Sequence, residues 1–540
     1  MGIVSPAQAQ QASPNALEPG KIEKRVAPPA PLRRPVEPIA PALRDAPAPE
    51  RPVAKFVLTG VEIVGATVYE PNEFSDLYEN MLGREIGETD VAELVESVTQ
   101  KYRDGGYALS RAVAEPQSLE FGVLRIRAIE GYVDRLVVEG DMAKDASQLA
   151  AFGRKIKADR PLRQSVLERY VLLMSDLPGI SVTPSLREPV TDSGAYDLVL
   201  TTTRRPLSAF TNLDNRGTDP VGPYQMLVGT DINGVLGLNE RTRFLAFFIP
   251  DDPHELRYYN LSHVEPIGSE GTLATVSGSR SKIDIYSESS GAPQRSDSRT
   301  IGVELSHPLI RSQELDLYVD GTYEYIRSAQ EALNNDFVDR IHALRIGGKL
   351  TFEDPLGGPS TIGIRVHKGL DILNASGVGD TNLSRADGRS DFTKITADFS
   401  RSQYLFDNFL LQFDATGQWT ADVLLSNEEF GIGGSQFGRA YDPSEISGQH
   451  GVAGILELQY IVDTGQPYFN SFTLYSFYDL GTIWADDGES VPLSSAGAGV
   501  RLSFFDGLIG SLEIAKPINR TVAEKGDKDA RVFFSVSAQF

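Results

Sequence analysis

Leu315-Asp316-Leu317-Tyr318-Val319-Asp320-Gly321-Thr322-Tyr323-Glu324-Tyr325 sets Leu315, Leu317, Val319, Tyr323 and Tyr325 in alternation with Asp316, Asp320, Thr322 and Glu324. Successive side chains on a strand point to opposite faces, so the stretch predicts a strand with one greasy face and one wet face. The same alternation recurs in Phe409, Leu411, Phe413 and Trp419 against Gln412, Asp414, Thr416 and Gln418. It recurs again in Leu456, Leu458 and Tyr460 against Glu457 and Gln459, and it holds almost throughout after Arg205. At the end, Val532, Phe534, Val536, Ala538 and Phe540 share one face, and Arg531, Ser535, Ser537 and Gln539 the other. A soluble β-sandwich also alternates, but it buries one layer against a second rather than repeating the pattern to the last residue. The pattern therefore predicts a transmembrane β-barrel over residues 206–540. At about 10 residues per spanning strand, with turns and longer outer loops, that length accommodates about 16 antiparallel strands, an even number as in bacterial barrels. Such a ring encloses a lumen wide enough for water and a polypeptide, and so needs a plug.

Composition narrows the function classes. No run approaches the roughly 20 apolar residues that a membrane-crossing helix needs, whereas barrel strands give only a weak hydropathy signal, as fits a 41% hydrophobic content with 50 Gly and 20 Tyr. A net charge of −23 argues against a phosphate-binding surface, so nucleic acid is not an expected partner. The absence of cysteine removes disulfides, thiolate metal sites and Cys nucleophiles together. No Walker A spacing, G-x-S-x-G elbow or H-E-x-x-H occurs; His254-Glu255 lacks a second histidine, and the six histidines are scattered. Gly431-x-Gly433 stops short of a dinucleotide fingerprint because position 436 is glutamine. The chain is expected to be a non-enzyme without catalytic, metal or cofactor residues.

At 540 residues the chain should divide into several modules. Twelve of the 32 prolines precede residue 56, which predicts an extended tail and linker over 1–55. Within it Ala7-Gln8-Ala9 matches an A-x-A-like cleavage site without a charged or apolar region before it. That fits a signal-peptide remnant or a chance occurrence in an Ala/Gln-rich tail. Over 56–133 an opening strand is predicted from Phe56-Val57-Leu58 and Val61-Glu62-Ile63-Val64-Gly65. A helix follows, capped at Asp90 with Glu93, with Val91, Leu94, Val95, Val98 and Tyr102 on one face. Strand residues Leu124, Ile126 and Ala128 then alternate toward Glu130-Gly131-Tyr132. Over 134–205 the order repeats: a strand at Leu136–Gly140, a helix face of Leu162, Val166, Tyr170 and Leu173 with Pro161 at its first turn and Asp159 as a nearby cap, and a closing strand at Asp197–Thr201. Two tandem α+β units precede the barrel.

Several motifs in these units resemble POTRA modules: Tyr102, Gly106-Tyr107, Pro116-Gln117 and Glu130-Gly131. Arg160-Pro161-Leu162 and Asp176-Leu177-Pro178-Gly179 resemble the two-partner secretion branch, although both also serve as helix start and stop. In the barrel, Phe437-Gly438-Arg439-Ala440-Tyr441 follows the Gly-rich Phe430-Gly431-Ile432-Gly433-Gly434 and precedes Phe477-Tyr478-Asp479-Leu480-Gly481. That pairing of a loop arginine with a strand aspartate resembles the two-partner secretion translocators (TpsB type), the haemolysin and filamentous haemagglutinin secretion-activation family. Asp214-Asn215-Arg216-Gly217 matches where that family begins its barrel; as chemistry these are ordinary turn formers.

The resemblance implies a bacterial outer-membrane translocator in contact with outer-membrane lipid, its POTRA domains in the periplasm. It would export a large unfolded exoprotein, an adhesin, haemolysin or relative, after recognising that partner's amino-terminal secretion domain. It also implies a lumenal loop lock in which Arg439 forms a bidentate pair with Asp479, Gly438 permits close approach, and Phe437 and Tyr441 pack the loop tip. The terminal aromatic Phe540 resembles the signal read by the barrel-assembly machinery during biogenesis. In the family an amino-terminal helix plugs the barrel. Here Pro19-Gly20 and later prolines leave only a short candidate around Lys21 to Val26, so a short plug helix and a loose tail are both open. The nearest alternative function is a barrel-assembly insertase of the same superfamily; a membrane-bound hydrolase or a passive porin leaves the tandem units without a role.

Overall fold

Leu315–Ala332 forms an 18-residue strand, paired antiparallel with Asn335–Glu353 from Leu315 opposite Phe352 to Ala332 opposite Asn335. In this computed structural model, residues 55–143, 146–188, 193–287, 292–332, 335–484, 488–505 and 507–540 are described. The expectations for the tail, including Ala7-Gln8-Ala9 and the helical candidate at Lys21 to Val26, lie outside them. Sixteen strands from Leu207–Asp214 to Arg531–Gln539 each pair antiparallel with their neighbours and close into one barrel. At the seam, the N–H of Phe540 donates to Ala209 O at 2.8 Å and the N–H of Ala209 returns a bond to Phe540 O at 3.2 Å. Closure leaves no open sheet edge, which a hydrocarbon surround would penalise.

The greasy face points out and the wet face in. Trp419, Leu456, Leu480 and Val532 are exposed on the outer wall, whereas Asp316, Thr322, Glu457 and Asp479 are buried inside. A soluble protein reverses this arrangement; an apolar exterior around a polar interior suits a lipid solvent.

The first α+β unit contains a three-stranded sheet with Gly60–Val64 parallel to Val123–Ile129 and Arg111–Val113 antiparallel to it. The helix Glu88–Asp104 covers that sheet with buried Val91, Leu94, Val95, Val98 and Tyr102, the face expected from their spacing. Two local expectations fail. Phe56–Val57 pairs with Glu85–Ile86 instead of continuing into the Gly60–Val64 strand. The helix starts one turn earlier than Asp90, which instead lies in the first turn and accepts the Gly87 N–H at 2.7 Å, where a carboxylate offsets an otherwise unpaired donor.

The second unit repeats the plan: Tyr132–Gly140 runs parallel to Ala195–Arg204, which pairs antiparallel with Ile180–Arg187. Two helices, Ser147–Ala158 and Gln164–Ser175, cover it. Pro161 and Leu162 precede the second helix rather than opening it, so Pro161 belongs to the connector. Asp159 still accepts the Arg163 N–H, at 2.8 Å.

This second unit is clasped to the nearer rim of the barrel. Arg311 forms a fork with Asp176, Nε to Oδ2 and Nη2 to Oδ1 both at 2.8 Å. Lys155 Nζ meets Glu270 Oε1 at 2.7 Å, and Gln148 Nε2 donates to Gly268 O at 2.6 Å. The Asp176-Leu177-Pro178-Gly179 turn thus does more than stop a helix. Leu177 fills the unit's core, Asp176 holds the barrel, and Gly179 at φ +66° presses so close to Asn233 that an added Cβ would stand 2.4 Å from Asn233 Cβ.

Candidate functional site

The connection at 421–449 between Phe409–Thr420 and His450–Asp463 folds into the lumen instead of standing outside it. Its paired segments Phe430–Ile432 and Ile446–Gly448 form a short hairpin. Phe430, Ile432, Tyr441 and Ile446 pack in one buried cluster with Tyr475, Phe477, Ile483 and Leu493 of the wall. The Gly-rich sequence permits this fold: Gly438 has φ +75°, and a Cβ there would meet Leu493 Cδ2 at 2.6 Å.

Arg439 stands at the centre, almost fully buried. Its backbone N–H donates to Asp479 Oδ2 at 2.7 Å, and Ser495 Oγ donates to the same oxygen at 3.0 Å. The guanidinium reaches Asp479 only loosely, Nη2 to Oδ1 at 3.4 Å. Its short ion pair is with Glu457, Nη1 to Oε2 at 2.7 Å, while Glu513 Oε2 lies 3.4 Å from Nη1. The guanidinium carbon is 3.4 Å from the centre of the Phe477 ring, a cation–π contact in a desolvated setting. The expected bidentate Arg439–Asp479 pair is therefore corrected: Asp479 is spent on the main chain, and the guanidinium is shared among three carboxylates and an aromatic face.

Two further arginines balance those carboxylates. Arg501 bridges Glu457, Nη1 to Oε1 at 2.7 Å, and Arg216 meets Glu513 Oε1 at 2.6 Å while donating to the Arg439 carbonyl at 3.3 Å. Arg439, Arg501 and Arg216 thus face Glu457, Asp479 and Glu513, a formally neutral knot. Neutrality matters because an unmatched buried charge costs several kcal/mol. The Asp214-Asn215-Arg216-Gly217 motif, expected only to mark the start of the barrel, lies at the far end of the first strand Leu207–Asp214 and supplies one of the three cations. Glu457 was visible as the polar member of Leu456-Glu457-Leu458, but alternation assigns a face and not a partner.

Tyr441 and Phe437 both lie at the tip of the loop. The Tyr441 hydroxyl donates to Ser494 O at 3.1 Å, and Phe437 lies partly buried against the aromatic cluster. Arg531 adds a brace, donating to Ala440 O at 3.1 Å and pairing with Asp442 at 2.8 Å. Phe540 is exposed on the outer face at the nearer rim, apart from the knot. Asp176 also lies outside it, at the clasp.

A family model for the haemolysin secretion/activation protein ShlB/FhaC/HecB matches residues 194–502, more than half of the chain. The chain belongs to this family. A model for the ShlB-type POTRA domain matches residues 56–131, the first α+β unit. Among curated relatives, the heme/hemopexin transporter protein HuxB of Haemophilus influenzae is 22% identical over 498 residues, 88% of this chain and 86% of that protein. The outer membrane transporter CdiB of Escherichia coli is 24% identical over 488 residues, 86% of this chain and 79% of that protein. The solved CdiB from Escherichia coli shares the fold with a TM-score of 0.75 at 20% identity, each chain fully covered. The protein is thus an outer-membrane transporter of the haemolysin secretion family, a β-barrel with an amino-terminal POTRA region.

Proposed function

We propose that this family member exports one large unfolded partner, an adhesin, haemolysin or related exoprotein, across the outer membrane. Its POTRA units lie in the periplasm and capture the partner's amino-terminal secretion domain. The observation that carries this reading is the combination of a polar lumen with a loop folded into it and held by the neutral knot around Arg439. A barrel built only for passive diffusion has no need of so specific a plug. The sheets of the two units leave Gly60–Val64, Arg111–Val113, Tyr132–Gly140 and Ile180–Arg187 as edge strands. An extended segment adds to such an edge through main-chain bonds, with side-chain grooves supplying selection.

Passage requires the loop to leave the lumen axis, so the Arg439 knot serves as brace and gate. Without a nucleotide motif, direction comes from folding of the cargo outside, since folded cargo cannot return. Phe540 at the end of the closing strand is the group the barrel-assembly machinery reads during biogenesis. Co-expression with a candidate exoprotein tests the proposal: cargo released to the medium supports export. Barrel-assembly defects on depletion, with cargo retained, overturn it in favour of an insertase.

A further inference from the structure

The inward loop is tied to the wall a second time, away from Arg439. Its stem contains the short helix Ser426–Glu428, and the Glu428 side chain is buried. Arg345 of Asn335–Glu353 donates Nη2 to Glu428 Oε1 at 2.8 Å, and Lys394 of Thr393–Phe406 meets Oε2 at 2.6 Å. Lys394 Nζ also donates to the Glu428 carbonyl at 2.8 Å, and Gln418 Nε2 donates to that carbonyl at 3.0 Å. Arg345 in turn pairs through Nε with Glu324 at 2.6 Å and contacts His367 Nδ1 at 2.5 Å. Two acids and two bases form a second neutral knot.

The stem is also roofed. Leu424 and Leu425 are buried in one cluster with Ile326, Ile341, Leu383 and Phe392. Arg385, from the neighbouring connection at 371–392, pairs with Glu429 at 2.9 Å and donates to Leu424 O at 3.1 Å. The two knots draw on different wall strands. The stem uses the consecutive strands from Leu315–Ala332 to Phe409–Thr420; the tip uses His450–Asp463, Ser471–Trp484, Ser490–Phe504 and Leu508–Pro517, with Arg216 from beyond the seam.

From this geometry we infer that Glu428 is the positioning residue of a stem anchor, so that the loop moves as a hinged arm. Release of Arg439 frees the tip while residues 426–429 stay fixed to the wall. A charge-assisted bond pair at both carboxylate oxygens, in a site with little water, holds without help from the tip. The inference concerns the loop alone and stands whatever the cargo.

The chain has no native cysteine, so two introduced cysteines carry spin labels uniquely. Gln436→Cys, exposed on the tip, and Asp407→Cys, exposed at the nearer rim, report the tip position by electron–electron distance measurement on the full chain in detergent. With both labels in place, Arg439→Ala should broaden the distance distribution, and adding Glu428→Gln should broaden it further. Replacing that second change by Glu428→Asp should return the width toward that of Arg439→Ala alone. In SDS gels an unheated sample that migrates differently from the same sample after boiling verifies a folded barrel in each variant. A double variant with the same distribution as Arg439→Ala overturns the anchor. If the Glu428→Gln chain does not assemble, Lys394→Gln removes the same bond from the wall side and is read by the same two outcomes.

Discussion

Asp479 binds Arg439 by its main chain more tightly than by its side chain: 2.7 Å to the backbone N–H, against 3.4 Å to the guanidinium. The tip position therefore depends on Asp479 even when the arginine side chain is changed. Arg439→Ala leaves three buried carboxylates short of a cation and should weaken loop docking by about 3–5 kcal/mol. It should cut export while the barrel still reaches the membrane. In double-mutant cycles the Arg439–Glu457 coupling should exceed the Arg439–Asp479 coupling, read as urea-dependent protease access to the loop. A larger coupling to Asp479 would contradict the distances.

Arg311 links two bodies. It forks onto Asp176 of the second α+β unit and also reaches Asp316, which is buried in the wall, at 3.1 Å. Arg311→Ala should therefore cost about 1–3 kcal/mol through the charge left behind. Asp176→Asn, at a more exposed partner, should cost less than about 1 kcal/mol. Hydrogen exchange at the 312–316 turn decides between this order and its reverse.

The Lys155–Glu270 contact sets a pH window for the same clasp. Burial alone would raise the Glu270 carboxyl, but the Lys155 ammonium and the Tyr170 hydroxyl hold it below its ordinary value. Glu270, through its hydrogen bond and charge, holds Lys155 above its own. A lowered acid stabilises the docked state above its ordinary value and loses that effect as pH falls through the lowered one. A raised base stabilises below its ordinary value and loses the effect as pH climbs through the raised one. Docking should thus be flat from mildly acidic to mildly alkaline pH and loosen only beyond. A transition near neutrality in label-to-label distance across the clasp would refute the pairing.

Glu130 fastens the first POTRA unit internally. Its carboxylate accepts the N–H groups of Thr67 and Val68, at 2.7 and 3.1 Å, together with the Thr67 and Tyr102 hydroxyls. Burial first, and then the bond to Glu130, push the Tyr102 phenol above its ordinary range. Tyr102→Phe should cost about 1 kcal/mol and Glu130→Ala about 2–3 kcal/mol, since the latter strands several donors at once. Amide exchange in the Glu88–Asp104 helix measures both; equal effects would show that Glu130 has no such role.

Much of this was legible. Period-two alternation gave the barrel, because a lipid-facing wall fixes every second residue, and the spacing of Val91, Leu94, Val95, Val98 and Tyr102 gave a buried helix face. The helix Ser147–Ala158 is not among the expected elements, although Leu149, Phe152 and Ile156 carry the same periodicity and are buried. The candidate site was half visible. Arg439 and Asp479 stood out by motif, but which carboxylate takes the guanidinium depends on loop depth and strand register. Glu457, Glu513, Arg216 and Glu428 lie 18 to 297 positions from their partners, and no local pattern encodes such pairings.

The bond between Ala209 and Phe540 has a consequence for biogenesis. The ring is completed by residues more than 300 positions apart, Ser537 on Asn212 among them. No cylinder exists until the last segment has emerged, so the nascent chain must cross its first compartment with every outward leucine and tryptophan still unsheltered. Loop-closure entropy then makes that final join slow. Escort proteins that shield apolar stretches are thus a physical requirement of this topology.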